Sequence, residues 1–157
     1  MLTIREATDS DATAIGAIAR ESAEAHVILA PRMYRVPAMA DAVRRAQGDL
    51  ADPSRVTLVA VDEAHVVGFI TYRRLPKPDP GSMVRPVEAA GIGIAVTAEH
   101  RGRGVGRALM EAAEDRAARE GIELMTLDAF SENRPAIELY QSMGYHASGV
   151  LMHRWID

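Results

Sequence analysis

Leu2–Ala7 alternates apolar and polar residues, the period-two pattern of a short half-buried strand. Thr8 followed by Asp11 has the spacing of a capping box, and Ile15, Ile18 and Ala19 recur behind it on one helical face. A second helix is predicted from near Pro37, a good first-turn residue, to Gln47-Gly48. Between the two helices, HVILAPRMYRV is apolar without a clean period and predicts a loop or a broken helix. Arg55–Val61 and His65–Tyr72 are β-rich runs separated by Asp62-Glu63-Ala64, which predicts an antiparallel hairpin. The segment LPKPDPGSMVRP that follows holds four of the eight prolines, so it cannot be a central strand and predicts an exposed loop. It serves either as a connector or as a wall of a binding site.

Val87–Val96 predicts a further strand, then a glycine-arginine turn. Val105, Ala108, Leu109, Ala112, Ala113 and Ala117 keep helical period to about Glu120, with Gly121 as a stop. Ile122–Phe130 is the next predicted strand. Strand, helix, strand in that order makes a βαβ unit, expected to be parallel and right-handed. Pro135–Met143 predicts another helix closed by Gly144, and Tyr145–Ile156 predicts a strand, a turn near Ser148-Gly149 and a last strand. There are no repeats and no composition shift, so residues 1–157 are expected to form a single domain.

The net charge of −4 removes any global attraction to nucleic acid or to an anionic membrane, so an anion site must come from local placement of arginines and backbone. No cysteine is present, which removes disulfides, thiolate metal sites and a cysteine nucleophile. That absence, and a start without the basic flank and apolar run of a signal peptide, lead to an expected cytoplasmic location. No run approaches the roughly 18 apolar residues of a membrane span. The five histidines lack zinc-type spacing, so no metal is expected.

The sharpest local feature is Arg101-Gly102-Arg103-Gly104-Val105-Gly106-Arg107, between a predicted strand and a long helix. Alternate glycines leave backbone N–H groups unshielded, and the helix adds roughly half a positive charge at its N-terminus. With three arginines this is an anion cradle suited to a pyrophosphate; the plainer alternative is a flexible turn with solvated arginines. A Walker loop needs GxxxxGK[ST], which is missing, and a Rossmann fingerprint needs GxGxxG where this chain has GxGxG.

Arg101-Gly102-Arg103-Gly104-Val105-Gly106, preceded by Ile94-Ala95-Val96, resembles the R/Q-x-x-G-x-G/A signature of the GNAT superfamily of N-acetyltransferases. Asn133-x-x-Ala136-x-x-Leu139-Tyr140-x-x-x-Gly144-Tyr145 is similar to that superfamily's fourth-helix motif at the expected distance. The element order agrees over the whole chain, and the specific match covers about residues 88 to 145. The fold expected is therefore α/β, a GNAT-like mixed, mostly antiparallel sheet flanked by about four helices with a central parallel βαβ unit.

The resemblance implies acetyl-CoA as cosubstrate and an amine acceptor as partner. It puts Ile94, Ala95 and Val96 along the pantetheine arm, and Arg101, Gly102, Arg103, Gly104, Val105, Gly106 and Arg107 around the pyrophosphate. Gly91-Ile92-Gly93 is consistent with a bulge or a close backbone approach there, or with glycines that only relieve packing. Asn133 is expected to bind coenzyme A, to cap its helix, or both. Tyr140 is the expected general acid. A departing thiol has a pKa of about 8.5 and a phenol about 10, so tyrosine arrives protonated at neutral pH; otherwise it is a core tyrosine. Glu88 stands where several relatives carry a base glutamate, against the alternative of an exposed strand-end carboxylate. Glu99 and His100 are expected to be solvated.

With no cysteine, the acetyl group is expected to pass directly to a primary amine of a small molecule or peptide. Two rivals stand beside that reading. One is a non-catalytic acyl-CoA-binding or sensory domain of the same fold; the other is a nucleotide- or nucleic-acid-binding module, which few aromatics disfavour. The acceptor's identity is left open, as is oligomeric state, a homodimer among the choices.

Overall fold

A computed structural model describes residues 1–156. Five strands form one sheet in the order β1-β2-β3-β4-β5: β1 (Thr3–Glu6), β2 (Arg55–Asp62), β3 (His65–Arg74), β4 (Ala89–Val96) and β5 (Leu124–Thr126). The first three pairings are antiparallel, and β4 with β5 is parallel. Four helices flank the sheet: α1 (Ala12–Leu29), α2 (Met39–Ala51), α3 (Val105–Arg119) and α4 (Arg134–Ser142). The mixed sheet, four helices and parallel βαβ unit are those expected from sequence, and the parallel pair closes one end of the sheet.

Strand alternation divides the core. Leu58, Ala60, Ile70, Tyr72 and Ala90 face α3, meeting Val105, Leu109, Met110, Ala113 and Ala117 of its apolar stripe. Val59 faces the other way, against Ala12 and Ile15 of α1 and Ala46 of α2, with Phe69 at the margin. The start of α1 is fixed by charge: Asp11 accepts Arg5 Nη1 and Nη2 at 2.8 and 2.9 Å and the Thr8 N–H at 2.7 Å. Those donors, Arg5 first, hold its carboxyl down at about 2.

The β2–β3 hairpin is tighter than the sequence reading. Asp62 pairs with His65, leaving a two-residue turn in which Glu63 and Ala64 both have positive φ, as a type I′ turn requires. α2 begins two residues after Pro37 and runs through Gly48 to Ala51. Its last turn is held by Leu50 in the core and by Asp49, 3.3 Å from Arg55.

Two strand expectations fail. Of Ile122–Phe130 only Leu124–Thr126 pairs; Ile122 precedes the strand because it closes α3, its N–H bonded to Ala117 O at 3.0 Å. From His146 to Ile156 there is no strand, and Val150, Leu151, Met152 and Ile156 are exposed. A three-residue β5 offers that tail almost no edge to pair with. No helix among the described residues is long and apolar enough to cross a membrane.

Candidate active site

β4 is paired unequally on its two sides. Ala90 to Val96 are matched along β3, whereas β5 covers only Ala89–Gly91. The carbonyls of Glu88 and Ala90 point toward β5, since Glu88 O accepts from the amides of Glu123 and Leu124 and Ala90 O from Thr126 Oγ1. Alternation then directs the backbone groups of Ile92, Ile94 and Val96 to the same side, beyond the end of β5. The result is a slot with a free strand edge along it. No register shift interrupts β3 and β4, so the bulge considered at Gly91-Ile92-Gly93 is not there; the irregularity lies between Ala60 and Val61 of β2.

The slot leads to the glycine-arginine turn. Thr97 and a short 3₁₀ turn (Ala98–His100) follow β4, and Glu21 of α1 braces them: its Oε1 accepts the Ala98 N–H and lies 3.9 Å from Arg101 Nη2. Arg101 Nε also donates to Val96 O at 3.0 Å, on the free edge. Gly102 and Gly104 have φ of +71° and +82°, in the left-handed region that favours glycine. Gly104 is the N-cap of α3, so the amides of Val105, Gly106 and Arg107 point out of the helix end. Among the described residues none of the amides from Gly102 to Arg107 has a backbone acceptor. Such a nest of N–H groups at a helix start binds anions.

α4 closes the far side of the turn. A Cβ on Gly106 would stand 3.2 Å from Leu139, so the two helices are in contact there. Arg107 Nη2 donates to Ser142 Oγ at 2.6 Å, which ties the cradle to the end of α4. Tyr140, one residue past Leu139, packs on the α3-side core with its ring 6.2 Å from that of Tyr145. Burial raises its phenol above the ordinary value, so the hydroxyl stays protonated at neutral pH. Asn133 occupies the N-cap of α4 but makes no side-chain cap bond, which leaves its amide group for other uses.

Glu88 stands apart from this group. It lies at the opposite end of β4, 2.7 Å from Lys77 and 3.2 Å from Arg74, whose other nitrogen bonds Glu120 O beyond the C-terminus of α3. Lys77 first, then Arg74, lowers its pKa. Ile94, Val96, the Arg101–Arg107 turn and Tyr140 belong to the slot and its walls; Ala95 directs its backbone to β3, Asn133 starts α4, and Glu88 belongs to the strand's start.

Sequence reasoning missed several neighbours. Glu21 and Ser142 brace the cradle from distant positions and carry no local signal. His26, Tyr34 and Phe130 form an edge-to-face aromatic row, with centroids 5.1 and 6.0 Å apart, between the end of α1 and the segment after β5. Phe130 also lines a mainly apolar cavity of about 270 Å³ with Ala30, Met33 and Trp155. HVILAPRMYRV signals His26 and Tyr34 only by being apolar without a period.

The acetyltransferase (GNAT) family model matches residues 23–145. Mycothiol acetyltransferase from Paenarthrobacter aurescens (strain TC1) is 29% identical over 106 residues, covering 68% of this chain and 32% of that protein. The chain spans about a third to a half of the length of the curated relatives it matches. A mutant of the BH1408 protein from Bacillus halodurans superposes with a TM-score of 0.90 at 23% identity, covering 98% of this chain and 99% of that one. AAC(6')-Iy, solved with the bisubstrate analogue CoA-S-monomethyl-acetylneamine, has a TM-score of 0.72 at 17% identity, covering 100% of this chain and 99% of its own. At such identities these structures speak for the fold alone.

Proposed function

The chain belongs to the acetyltransferase (GNAT) family, and from that premise we propose that it is an acetyl-CoA-dependent N-acetyltransferase acting on a primary amine of a small molecule or peptide. One observation carries the reading: the unbonded amides of residues 102–107, around two left-handed glycines, lie at the end of the free β4 edge. A pyrophosphate fits the first and a chain of secondary amides fits the second. Residues 102–107 hold the diphosphate through backbone N–H groups, with Arg101, Arg103 and Arg107 neutralising charge. Ile94 and Val96 bond the pantetheine amides, and Asn133 supplies a further polar contact. The bisubstrate complex of AAC(6')-Iy supports a coenzyme A site on this fold.

In the proposed reaction the neutral amine attacks the thioester carbonyl, the C–S bond breaks and the thiolate leaves. Tyr140 gives its phenolic proton to the departing sulfur and is reprotonated from solvent. Glu88 is the proposed acceptor of the amine's proton. It acts only through water, because the slot opens at Ile92, about 13 Å along the strand by the ~3.3 Å rise per residue. Its depressed pKa suits an α-amine near 8 better than a lysine near 10.4.

The experiment is incubation with acetyl-CoA and a panel of primary amines (kanamycin, spermidine, glycinamide and an alanyl tripeptide), read by mass of the product and by free thiol. Acetylated amine with stoichiometric thiol is the expected outcome. Coenzyme A binding without any acetylated amine would favour the non-catalytic acyl-CoA-binding alternative.

A further inference from the structure

The row Thr57–Thr71–Gly93 crosses β2, β3 and β4 on the face that carries α1 and α2. Thr57 and Thr71 are buried and bond each other through their hydroxyls at 2.8 Å, whereas Gly93, next in the row, is exposed. The helical cover over this face is therefore open at Gly93 of β4. Gly93 is also unexplained by the usual needs of a strand glycine. Its φ lies outside the left-handed region, no bulge is present, and a Cβ built on it would meet nothing within 4 Å. Glycine inside a strand weakens it and commonly marks a close approach by a ligand or another backbone. Gly91 is different, since a Cβ there would touch Leu75 at 3.5 Å and Thr126 at 4.0 Å.

The position along the strand matters as much as the empty space. The free edge starts immediately past Gly91, where β5 stops, and the cradle lies at its other end. A thioester at the tip of an arm laid along Val96 to Ile92 reaches the mouth of the slot, level with Gly93. Ile92 and Ile94 on either side turn into the α3-side core, so of these three Gly93 alone faces the approach from the other layer.

We propose that Gly93 is a specificity-determining residue: its missing side chain leaves the space in which the acceptor's carbon beside the amine lies flat on β4, and so sets how bulky that carbon can be. The proposal rests on the acetyl-transfer reading above. It implies that a single methyl group at this position narrows the acceptor range while leaving the cofactor half untouched.

The test uses Gly93→Ala and Gly93→Val in the full chain, with three ligands titrated by calorimetry. The ligands are coenzyme A, and coenzyme A joined through its sulfur by an acetyl bridge to methylamine or to benzylamine. Both variants should melt no lower than wild type and bind coenzyme A with unchanged affinity. Gly93→Ala should lose about tenfold or more on the benzylamine conjugate and little on the methylamine one, and Gly93→Val should lose both. In turnover with any amine acetylated in the panel, KM for the amine should rise while KM for acetyl-CoA holds. Wild-type affinity of both variants for the benzylamine conjugate would overturn the proposal alone. A fall in melting temperature with all three ligands weakened together would make Gly93 structural and overturn it as well. Failure of wild type to bind coenzyme A removes the acetyl-transfer reading and this inference with it.

Discussion

In the proposed reaction, packing and chemistry at Tyr140 are served by different parts of one side chain. The ring fills the α3-side core, and burial of the phenol raises its pKa, so the proton is kept where a departing thiolate needs one. Tyr140→Phe keeps the ring and removes only the hydroxyl. Turnover should fall by at least tenfold, since general-acid help is typically worth about 10²–10⁴-fold. Affinity for coenzyme A and the melting temperature should stay near wild type. Steady-state rates with an acceptor from the panel, beside calorimetry with coenzyme A, check this; undiminished turnover in the variant would leave Tyr140 as a packing residue only. Glu88 shows the opposite economy, its carboxylate already engaged by Lys77 and Arg74 and its position far along the strand. Asn133 has no cap bond to give up, so its amide is available to a ligand without cost to α4.

Between elements, the cradle exists because a strand, a turn and a helix meet with two residues in the left-handed region. Gly104 is the hinge, N-cap of α3 at φ +82° with nothing near its missing Cβ. Gly104→Val meets no steric wall in the protein. It instead forces a β-branched residue into left-handed backbone, at a cost of about 1–2 kcal/mol, and sets a side chain over the amide nest. Denaturant unfolding should show that modest loss, and acetyl-CoA affinity should drop about tenfold or more; wild-type affinity in the folded variant would sink the cradle. The turn, α3 and α4 were legible in the sequence because glycine spacing and helical period are local signals. The free edge of β4 was only implied, since it depends on β5 ending at Thr126 while β4 runs on to Val96. Glu21 and Ser142 were illegible for the same reason: each meets the cradle across the fold, with nothing in its own neighbourhood to announce it. The tail reads as strands by composition, yet three residues of β5 leave it no edge to join.

Over the whole molecule, the net charge of −4 opposes an anionic ligand, so the proposed cofactor site depends on Arg101, Arg103 and Arg107 around the start of α3. Two consequences can be measured together. A ligand that binds only the folded chain adds RT ln(1 + [L]/Kd), about 2.7 kcal/mol at a hundredfold excess over Kd. For a chain of 157 residues, at about 2–4 °C per kcal/mol, acetyl-CoA at that excess should raise the melting temperature by roughly 5–11 °C. The three arginines are exposed, so the attraction they add is screened as the Debye length shrinks from about 10 Å at 0.1 M salt toward 3 Å at 1 M. At fixed acetyl-CoA the shift should therefore narrow as sodium chloride rises, whereas the backbone and pantetheine contacts keep it above zero. ATP shares the adenosine and phosphates but has no arm to lay along Ile94 and Val96, and should give a smaller shift at equal concentration. Differential scanning fluorimetry across both ligands and a salt series reads all of this at once. Equal shifts from ATP and acetyl-CoA would mean that the arginine turn binds phosphate while the free edge of β4 binds nothing. No shift from either would remove the cofactor itself.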